Sequence, residues 1–176
     1  MGESIGQRVA AKIRDVPDFP LPGVLFKDIT PMLSDAVLLR DAVQAMAEPF
    51  LEHAVTHVLA IESRGFLFGS PLALALSAGL VPARKPGKLP WETTSASYDL
   101  EYRADTLELH LDALTEGDRV LIVDDVLATG GTAAAAVRLI EQLRATPVGV
   151  CVLIELSFLG GRERLADLPV HHVVSY

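Results

Sequence analysis

The segment that most constrains the fold runs from Val120 to Thr132 and reads VLIVDDVLATGGT. It begins with four consecutive apolar residues, which are typical of a buried strand in a parallel sheet. Two acids, Asp124 and Asp125, come next, followed by a turn of small residues and an alanine-rich helical pattern. Because a buried strand that leads directly into a helix is the repeating unit of a parallel sheet covered by helices, the segment predicts an α/β fold.

The same alternation of strands and helices extends along the chain. The predicted strands cover residues 57–61, 80–84, 119–124, 148–155 and 170–174. The predicted helices cover residues 4–14, 35–53, 65–78 and 132–143, with Ser34 as the N-cap of the second. The proline-rich segment 15–31 is expected to be irregular, residues 85–96 to be a loop, and residues 97–111 to form an antiparallel hairpin.

Three unusual segments each follow a predicted strand: residues 62–65, 84–88 and 124–132. Ligands of parallel α/β sheets bind beyond the carboxyl ends of the strands, near a switch in strand order. We therefore expect these three segments to share one edge of the sheet and to form the binding site.

Composition limits the classes of partner. A length of 176 residues fits one domain, and a formal net charge of −8 disfavours nucleic acid and anionic membranes as partners. The single cysteine, Cys151, lies in an apolar run and is expected to be a buried, inert thiol. With no signal-peptide pattern and no apolar run of membrane-spanning length, we expect a cytoplasmic protein.

The turn after the two acids has the chemistry of a phosphate site. Small residues allow close approach of the backbone to an anion, and the N–H groups at a helix start point outward. The acids suit a neighbouring group that carries hydroxyls, such as a ribose, with Mg²⁺ nearby. An ordinary strand-to-helix turn is the alternative for TGGT alone. The turn is neither a Walker loop, since no lysine follows the glycines, nor a GxGxxG loop.

The complete segment resembles the signature of the type I phosphoribosyltransferases. The resemblance implies a mostly parallel sheet of about five strands with flanking helices and a small hood. It also implies that the loop Ala128, Thr129, Gly130, Gly131 and Thr132 holds a 5′-phosphate. Asp124 and Asp125 would then face the ribose hydroxyls.

The rest of the chain resembles the adenine-specific members of that family. The matching segments are DFPLPGVLFKDITPML, ESRGFLFG, RKPGKLPWETTSASYDLEY and IELSFLGGRERL. The resemblance places a hood at about residues 15–33, where Val24 reads the base edge, Phe26 stacks on the ring, and Lys27 contributes to the adenine site. Leu127 would close the other face of the base.

The second segment resembles the pyrophosphate loop of these enzymes. Ser63 and Arg64 would contact the diphosphate, Arg64 as a bidentate donor, and the resemblance places a cis peptide between Glu62 and Ser63. A solvated surface arginine is the alternative for Arg64.

A basic cluster of Arg84, Lys85 and Lys88 stands out in an otherwise acidic chain. Cations at this point would stabilise the charge that builds on a departing pyrophosphate. Lys85 and Lys88 match the pyrophosphate contacts of the family. A charged surface loop is the alternative.

Residues of about 88–105 resemble the flexible catalytic loop. Glu101 would transfer a proton at the ring N7 of adenine, and Tyr102 would help to close the site.

The implied reaction converts adenine and phosphoribosyl pyrophosphate to AMP and pyrophosphate, as in purine salvage. Mg²⁺ would arrive with the diphosphate rather than on protein side chains, and the resemblance implies a homodimer. A transferase for hypoxanthine, guanine or xanthine, and a non-catalytic regulator that senses the sugar diphosphate, are the alternatives.

Overall fold

A computed structural model describes residues 2–100, 103–165 and 168–176. The helices are α1 (Ile5–Ala10), α2 (Thr30–Leu33), α3 (Ala36–Ala47), α4 (Gly65–Ala75) and α5 (Gly131–Gln142). The strands are β1 (Arg14–Pro17), β2 (Leu25–Asp28), β3 (His57–Ile61), β4 (Gly79–Ala83), β5 (Thr93–Leu100), β6 (Arg103–His110), β7 (Arg119–Leu127), β8 (Thr146–Glu155) and β9 (Val170–Ser175). Short 3-10 helices cover Glu48–Phe50, Ser157–Leu159 and Gly161–Leu165.

The central sheet has the strand order β4-β3-β7-β8-β9, and every neighbouring pair is parallel. The chain moves outward from β3 to β4 and then crosses back to β7 on the other side of β3. The strand order therefore switches between β3 and β7, where a ligand crevice is expected. The α/β class and the five-stranded parallel sheet that the sequence predicts are confirmed.

Each face of the sheet has its own hydrophobic core. Helices α1, α3 and α4 cover one face, where Met46, Phe50, Phe68 and Leu72 are almost completely buried. Helix α5 and the β5–β6 hairpin cover the other face. Cys151 lies in the first core with its Sγ atom 3.4 Å from the Met46 carbonyl oxygen, and burial raises the pKa of its thiol.

The helix boundaries differ from the predicted ones at several places, and α4 ends at Ala75 rather than at residue 78. Asp35, rather than Ser34, is the N-cap of α3, because its carboxylate accepts from the Leu38 N–H at 3.1 Å. Helix α3 ends at Ala47, and the chain continues as the 3-10 helix that contains Pro49, which cannot donate an α-helical hydrogen bond. Helix α1 is also shorter than predicted.

The strands differ from the predicted ones mainly around the crevice. The prolines of segment 15–31 do not make it irregular throughout, since β1 and β2 pair as a small antiparallel sheet at its two ends. Strand β5 begins at Thr93, inside the predicted loop. Strand β7 continues through both acids to Leu127 because β8 extends beside it.

No helix in the described part of the chain combines the length and hydropathy needed to cross a lipid bilayer.

Candidate functional site

A cavity of about 340 Å³ opens at the carboxyl ends of β3 and β7, at the switch in strand order. It brings together residues from all three segments that the sequence analysis expects at this edge. The predicted site residues that line it are Ser63, Arg64, Lys85, Asp124, Asp125, Ala128 and Thr132. The expectation of one shared edge is therefore confirmed.

The loop between β7 and α5 forms a second, smaller cavity of about 90 Å³, lined by Ala128 through Ala133. Gly130 is the N-cap of α5 and has a φ of 80°, a conformation that favours glycine. The first N–H groups of a helix have no partner within the helix and carry the positive end of its dipole. The loop therefore offers N–H donors and a positive dipole end to an anion such as phosphate, although apolar side chains, among them Ile122, Val150 and Val152, also line this cavity.

Asp124 and Asp125 lie side by side at the floor of the larger cavity, and Asp125 is only 4% exposed. Burial raises the pKa of Asp124 well above its ordinary value, and the neighbouring charge of Asp125 acts in the same direction. Burial also raises the pKa of Asp125, although the Arg64 guanidinium opposes it. Among the described residues, no donor makes a well-aligned hydrogen bond to Asp125 Oδ2. The pair thus offers oxygen acceptors to a hydroxylated ligand.

Arg64 follows the peptide bond between Glu62 and Ser63, which is cis as the resemblance implies. Its Nε atom lies 2.9 Å from Asp125 Oδ2, and its guanidinium carbon lies 4.8 Å from the centroid of the Phe26 ring. Arg64 therefore connects the floor of the cavity to the hood.

Glu62 organises the basic segment after β4. Its carboxylate accepts hydrogen bonds from Arg84 Nε at 3.2 Å, from Arg84 Nη2 at 3.3 Å and from the Lys85 backbone N–H at 3.0 Å. Arg84 also donates to the Lys88 carbonyl at 3.1 Å. Burial by itself raises the pKa of Glu62, but these donors and the charge of Lys88 bring it below its ordinary value. A charged Glu62 therefore fixes the loop that carries both lysines.

Two residues of the β5–β6 hairpin complete the cavity wall. Tyr98 and Asp105 are cross-strand partners, and the Lys85 ammonium lies 3.1 Å from Asp105 Oδ2. The Tyr98 hydroxyl is within hydrogen-bonding reach of both Asp105 and Thr132. The pKa of Tyr98 is raised, mainly by burial, so that its hydroxyl remains protonated.

The sequence analysis gives no role to Glu62, Tyr98 or Asp105. Glu62 belongs to a segment that the analysis singles out, and its acidic side chain among cations is the signal that points to it. Tyr98 and Asp105 carry no such signal, because their relevance depends on how the hairpin packs against α5 and the loop after β4.

The hood residues do not line this cavity, although Phe26 contacts Arg64, which does. Phe26 packs edge-on against Phe19, with ring centroids 5.1 Å apart. The Lys27 ammonium lies 2.7 Å from Asp15 Oδ1 and 3.8 Å from the centroid of the Tyr176 ring. Val24 is 36% exposed, and its carbonyl accepts from the Phe19 N–H.

Three other predicted residues remain. Leu127 is buried beside the phosphate-loop cavity. Glu101 and Tyr102 lie outside the described residues, although Leu100 and Arg103 on either side of them pair at the tip of the hairpin.

Residues 35–171 match the phosphoribosyl transferase domain family. Over 170 residues the chain is 55% identical to adenine phosphoribosyltransferase from Nitrosococcus oceani, covering 97% of this chain and 99% of that protein. The crystal structure of adenine phosphoribosyltransferase from Rhodothermus marinus superposes with a TM-score of 0.94 at 54% identity and covers 98% of each chain. The crystal structure of the Saccharomyces cerevisiae enzyme, complexed with an imino-altritol bisphosphate and adenine, superposes with a TM-score of 0.90 at 41% identity. The match covers 96% of this chain and 98% of the yeast chain. The chain therefore belongs to the phosphoribosyl transferase domain family, in which these relatives are adenine phosphoribosyltransferases.

Proposed function

We propose that this chain is an adenine phosphoribosyltransferase, a pentosyltransferase that makes AMP and pyrophosphate from adenine and phosphoribosyl pyrophosphate. One observation carries the proposal. A loop at a helix start, two adjacent acids and the cations Arg64 and Lys85 lie around two neighbouring cavities at the strand-order switch. That arrangement matches a substrate with a phosphate at one end, a ribose in the middle and a diphosphate at the other end.

We assign the 5′-phosphate to the loop Ala128–Thr132, where backbone N–H groups and the hydroxyls of Thr129 and Thr132 can donate to it. The ribose then lies over Asp124 and Asp125. Their adjacent carboxyl groups can accept hydrogen bonds from the two ribose hydroxyls, which would replace part of the hydration lost on burial.

The diphosphate is assigned to Ser63, Arg64, Lys85 and Lys88. Arg64 and Lys85 each contact an acid, Asp125 and Asp105 respectively. An arriving diphosphate offers both cations a stronger anionic partner, so binding exchanges these contacts for contacts to substrate. The cations then stabilise the charge that develops as pyrophosphate leaves.

Adenine is assigned to the space between the hood and Leu127. Phe26 supplies an aromatic face, and the Val24 carbonyl, which accepts from the Phe19 N–H, keeps a second lone pair that would read the base edge. Because the Lys27 ammonium is held between Asp15 and Tyr176, we assign Lys27 to the adenine site through the shape of the hood.

Glu101 and Tyr102 are proposed as the catalytic pair. The Glu101 carboxyl would exchange a proton with the ring N7 of adenine as the bond at N9 forms. Closure of the segment at about 88–105 over the substrates would exclude water, which would otherwise capture the activated sugar.

Mg²⁺ is proposed as the accompanying cation. No group of three or more His, Cys, Asp or Glu side chains among the described residues forms a metal cluster. Asp124 and Asp125 nevertheless make the cavity floor acidic and rich in oxygen, which suits a hard cation carried in on the diphosphate. When bound, Mg²⁺ would neutralise charge on the diphosphate, which is the leaving group.

The organisation around this site is part of the same proposal. Residues of about 15–33 act as the hood, and the enzyme works in the cytoplasm as a homodimer. The small β1–β2 sheet supports the hood assignment, since it carries Phe26 over the crevice.

Phosphorus NMR of the purified chain with adenine, phosphoribosyl pyrophosphate and Mg²⁺ tests the proposal. We expect equal amounts of AMP and pyrophosphate to appear together. A chain that binds the sugar diphosphate but forms neither product with any purine base would instead be a sensor of that ligand, and the proposal would be wrong.

A further inference from the structure

The segment IELSFLGGRERL, residues 154–165, has no role in the site as assigned above. It leaves the end of β8, passes through a 3-10 helix at Ser157–Leu159 and enters another at Gly161–Leu165. The Leu156 N–H donates to the Leu127 carbonyl at 2.9 Å. The segment therefore lies directly behind the loop assigned to the 5′-phosphate.

Gly161 and Gly130 are in backbone-to-backbone contact. A Cβ atom added to Gly161 would lie 2.1 Å from the Ala128 carbonyl oxygen and 2.9 Å from the Gly130 nitrogen. In return, a Cβ on Gly130 would lie 2.2 Å from the Gly161 carbonyl oxygen. Because backbone atoms on both sides define this contact, neither segment can shift without the other.

Arg162 fixes the position of Gly161. Its Nε and Nη2 atoms donate to the two carboxylate oxygens of Glu155 at 3.0 and 2.5 Å, and Nη1 donates to the Val170 carbonyl at 3.0 Å. Glu155 is 6% exposed at the end of β8, and His172 Nδ1 lies 2.6 Å from its Oε2 atom. Hydrogen bonds from Arg162 lower the pKa of Glu155, which outweighs the opposite effect of burial, so the pair is ionic.

The loop needs such support because it is built from small, flexible residues. Gly130 and Gly131 allow close approach to a phosphate, but glycine loses more conformational freedom than other residues when it is fixed. A loop that is already held in its binding conformation loses less entropy when the ligand binds.

We propose that Gly161 is a positioning residue that braces the 5′-phosphate loop from behind, and that the Arg162–Glu155 pair holds this brace in place. The proposal rests on the assignment of residues 128–132 to the 5′-phosphate. It gives IELSFLGGRERL a function in substrate affinity without any contact to substrate.

Gly161→Ala and Gly160→Ala test the brace as a matched pair, since each adds one methyl group to the same segment. The nearest atom to a Cβ on Gly160 is 3.6 Å away in the Glu163 side chain, and its φ of 64° makes alanine strained there without touching the loop. Calorimetric titration with ribose 5-phosphate and, separately, with pyrophosphate and Mg²⁺ provides the readout.

We expect Gly161→Ala to weaken ribose 5-phosphate binding by roughly tenfold or more, the size of one lost hydrogen bond to a charged group, with pyrophosphate binding within about twofold of wild type. Gly160→Ala should lower Tm while keeping affinity for both ligands. Arg162→Lys removes the bidentate pair of hydrogen bonds to Glu155 and should cause a smaller loss of affinity, for ribose 5-phosphate only. This variant tests the proposal if Gly161→Ala does not fold.

Unchanged ribose 5-phosphate affinity in the brace variant would overturn the proposal, as would equal losses for both ligands. If the wild-type chain binds no ribose 5-phosphate, the function proposed above fails and the brace fails with it. If wild type and Gly161→Ala bind ribose 5-phosphate equally well, the brace proposal is wrong and the proposed function is unaffected.

Discussion

Asp124 and Asp125 place two carboxyl groups side by side at the cavity, where Asp125 is buried and Asp124 is half-buried. Burial raises the pKa of both, and for Asp124 the charge of its neighbour adds to the rise. Such an arrangement costs folding free energy and would not persist for stability alone. It is useful only when a ligand supplies hydroxyl donors, as the ribose in our account does.

Asp124→Asn should therefore raise stability and reduce function. We expect an increase of about 1 kcal/mol in the free energy of unfolding, or roughly 2–4 °C in Tm, with weaker binding of phosphoribosyl pyrophosphate. The folded chain keeps the Asp124 proton to a higher pH than the unfolded chain, so the cost grows as pH rises above the ordinary pKa of 3.8. The stability gain of the variant should accordingly shrink as pH is lowered toward that value. Thermal melts across pH check this, and a destabilised variant at neutral pH would contradict it.

Glu101→Gln tests the proposed proton transfer. Because the amide cannot exchange a proton with adenine, we expect kcat to fall by about 10²–10⁴-fold while binding of the sugar diphosphate changes little. Glu116→Gln, in the exposed loop before β7, is the matched control. Unchanged kcat in the first variant would remove Glu101 from its role.

At the scale of elements, the apolar strands and the segments that follow them could be predicted from the sequence, because burial on both faces leaves continuous apolar runs. The last part of β7 could not be predicted, because two acids interrupt the apolar run and a local pattern does not show that β8 extends beside them. The β1–β2 pair was missed because the prolines suggest an irregular chain, while the pairing joins residues far apart in sequence.

The site divides in the same way. The phosphate loop and the acids follow one strand and can be found from a single segment. The Lys85–Asp105 and Arg64–Phe26 contacts each join two separate elements, so no local pattern predicts them.

The loop after β4 depends on Glu62, which belongs to the segment after β3. Glu62→Gln should loosen this loop and raise KM for phosphoribosyl pyrophosphate by roughly tenfold, with a smaller effect on KM for adenine. Since the pKa of Glu62 is lowered in the folded chain, its stabilisation is present above the ordinary value of 4.5 and is lost as pH falls through the folded pKa.

Steady-state kinetics of Glu62→Gln beside Glu52→Gln, an exposed acid before β3, measure this effect. Equal changes in the two variants, or an effect on adenine alone, would show that Glu62 does not organise the loop after β4.

Across the whole molecule, the net charge is −8, and the crevice places the cations Arg64 and Lys85 beside four acids: Glu62, Asp105, Asp124 and Asp125. Another large-scale feature is the exposure of large apolar side chains on or near helices α3 and α4. Val37 in α3, Leu51 after the following 3-10 helix and Leu74 in α4 are 52%, 62% and 83% exposed. Large exposed apolar side chains are common at subunit interfaces, which fits the proposed homodimer.

Leu74→Glu should therefore weaken self-association. Light scattering coupled to gel filtration should give twice the chain mass for wild type and for the control Leu111→Glu, and a lower mass for Leu74→Glu at the same concentration. If Leu74→Glu remains fully dimeric, the interface lies elsewhere, and a monomeric wild type would contradict the homodimer.

The central claim is that this crevice transfers phosphoribosyl groups to adenine, and comparison of purine bases tests it most directly. Measured with saturating phosphoribosyl pyrophosphate and Mg²⁺, kcat/KM should be higher for adenine than for hypoxanthine or guanine by about 10²-fold or more, because a polar base edge read by buried groups penalises the wrong pattern of donors and acceptors. Equal or better turnover of hypoxanthine or guanine would contradict the account.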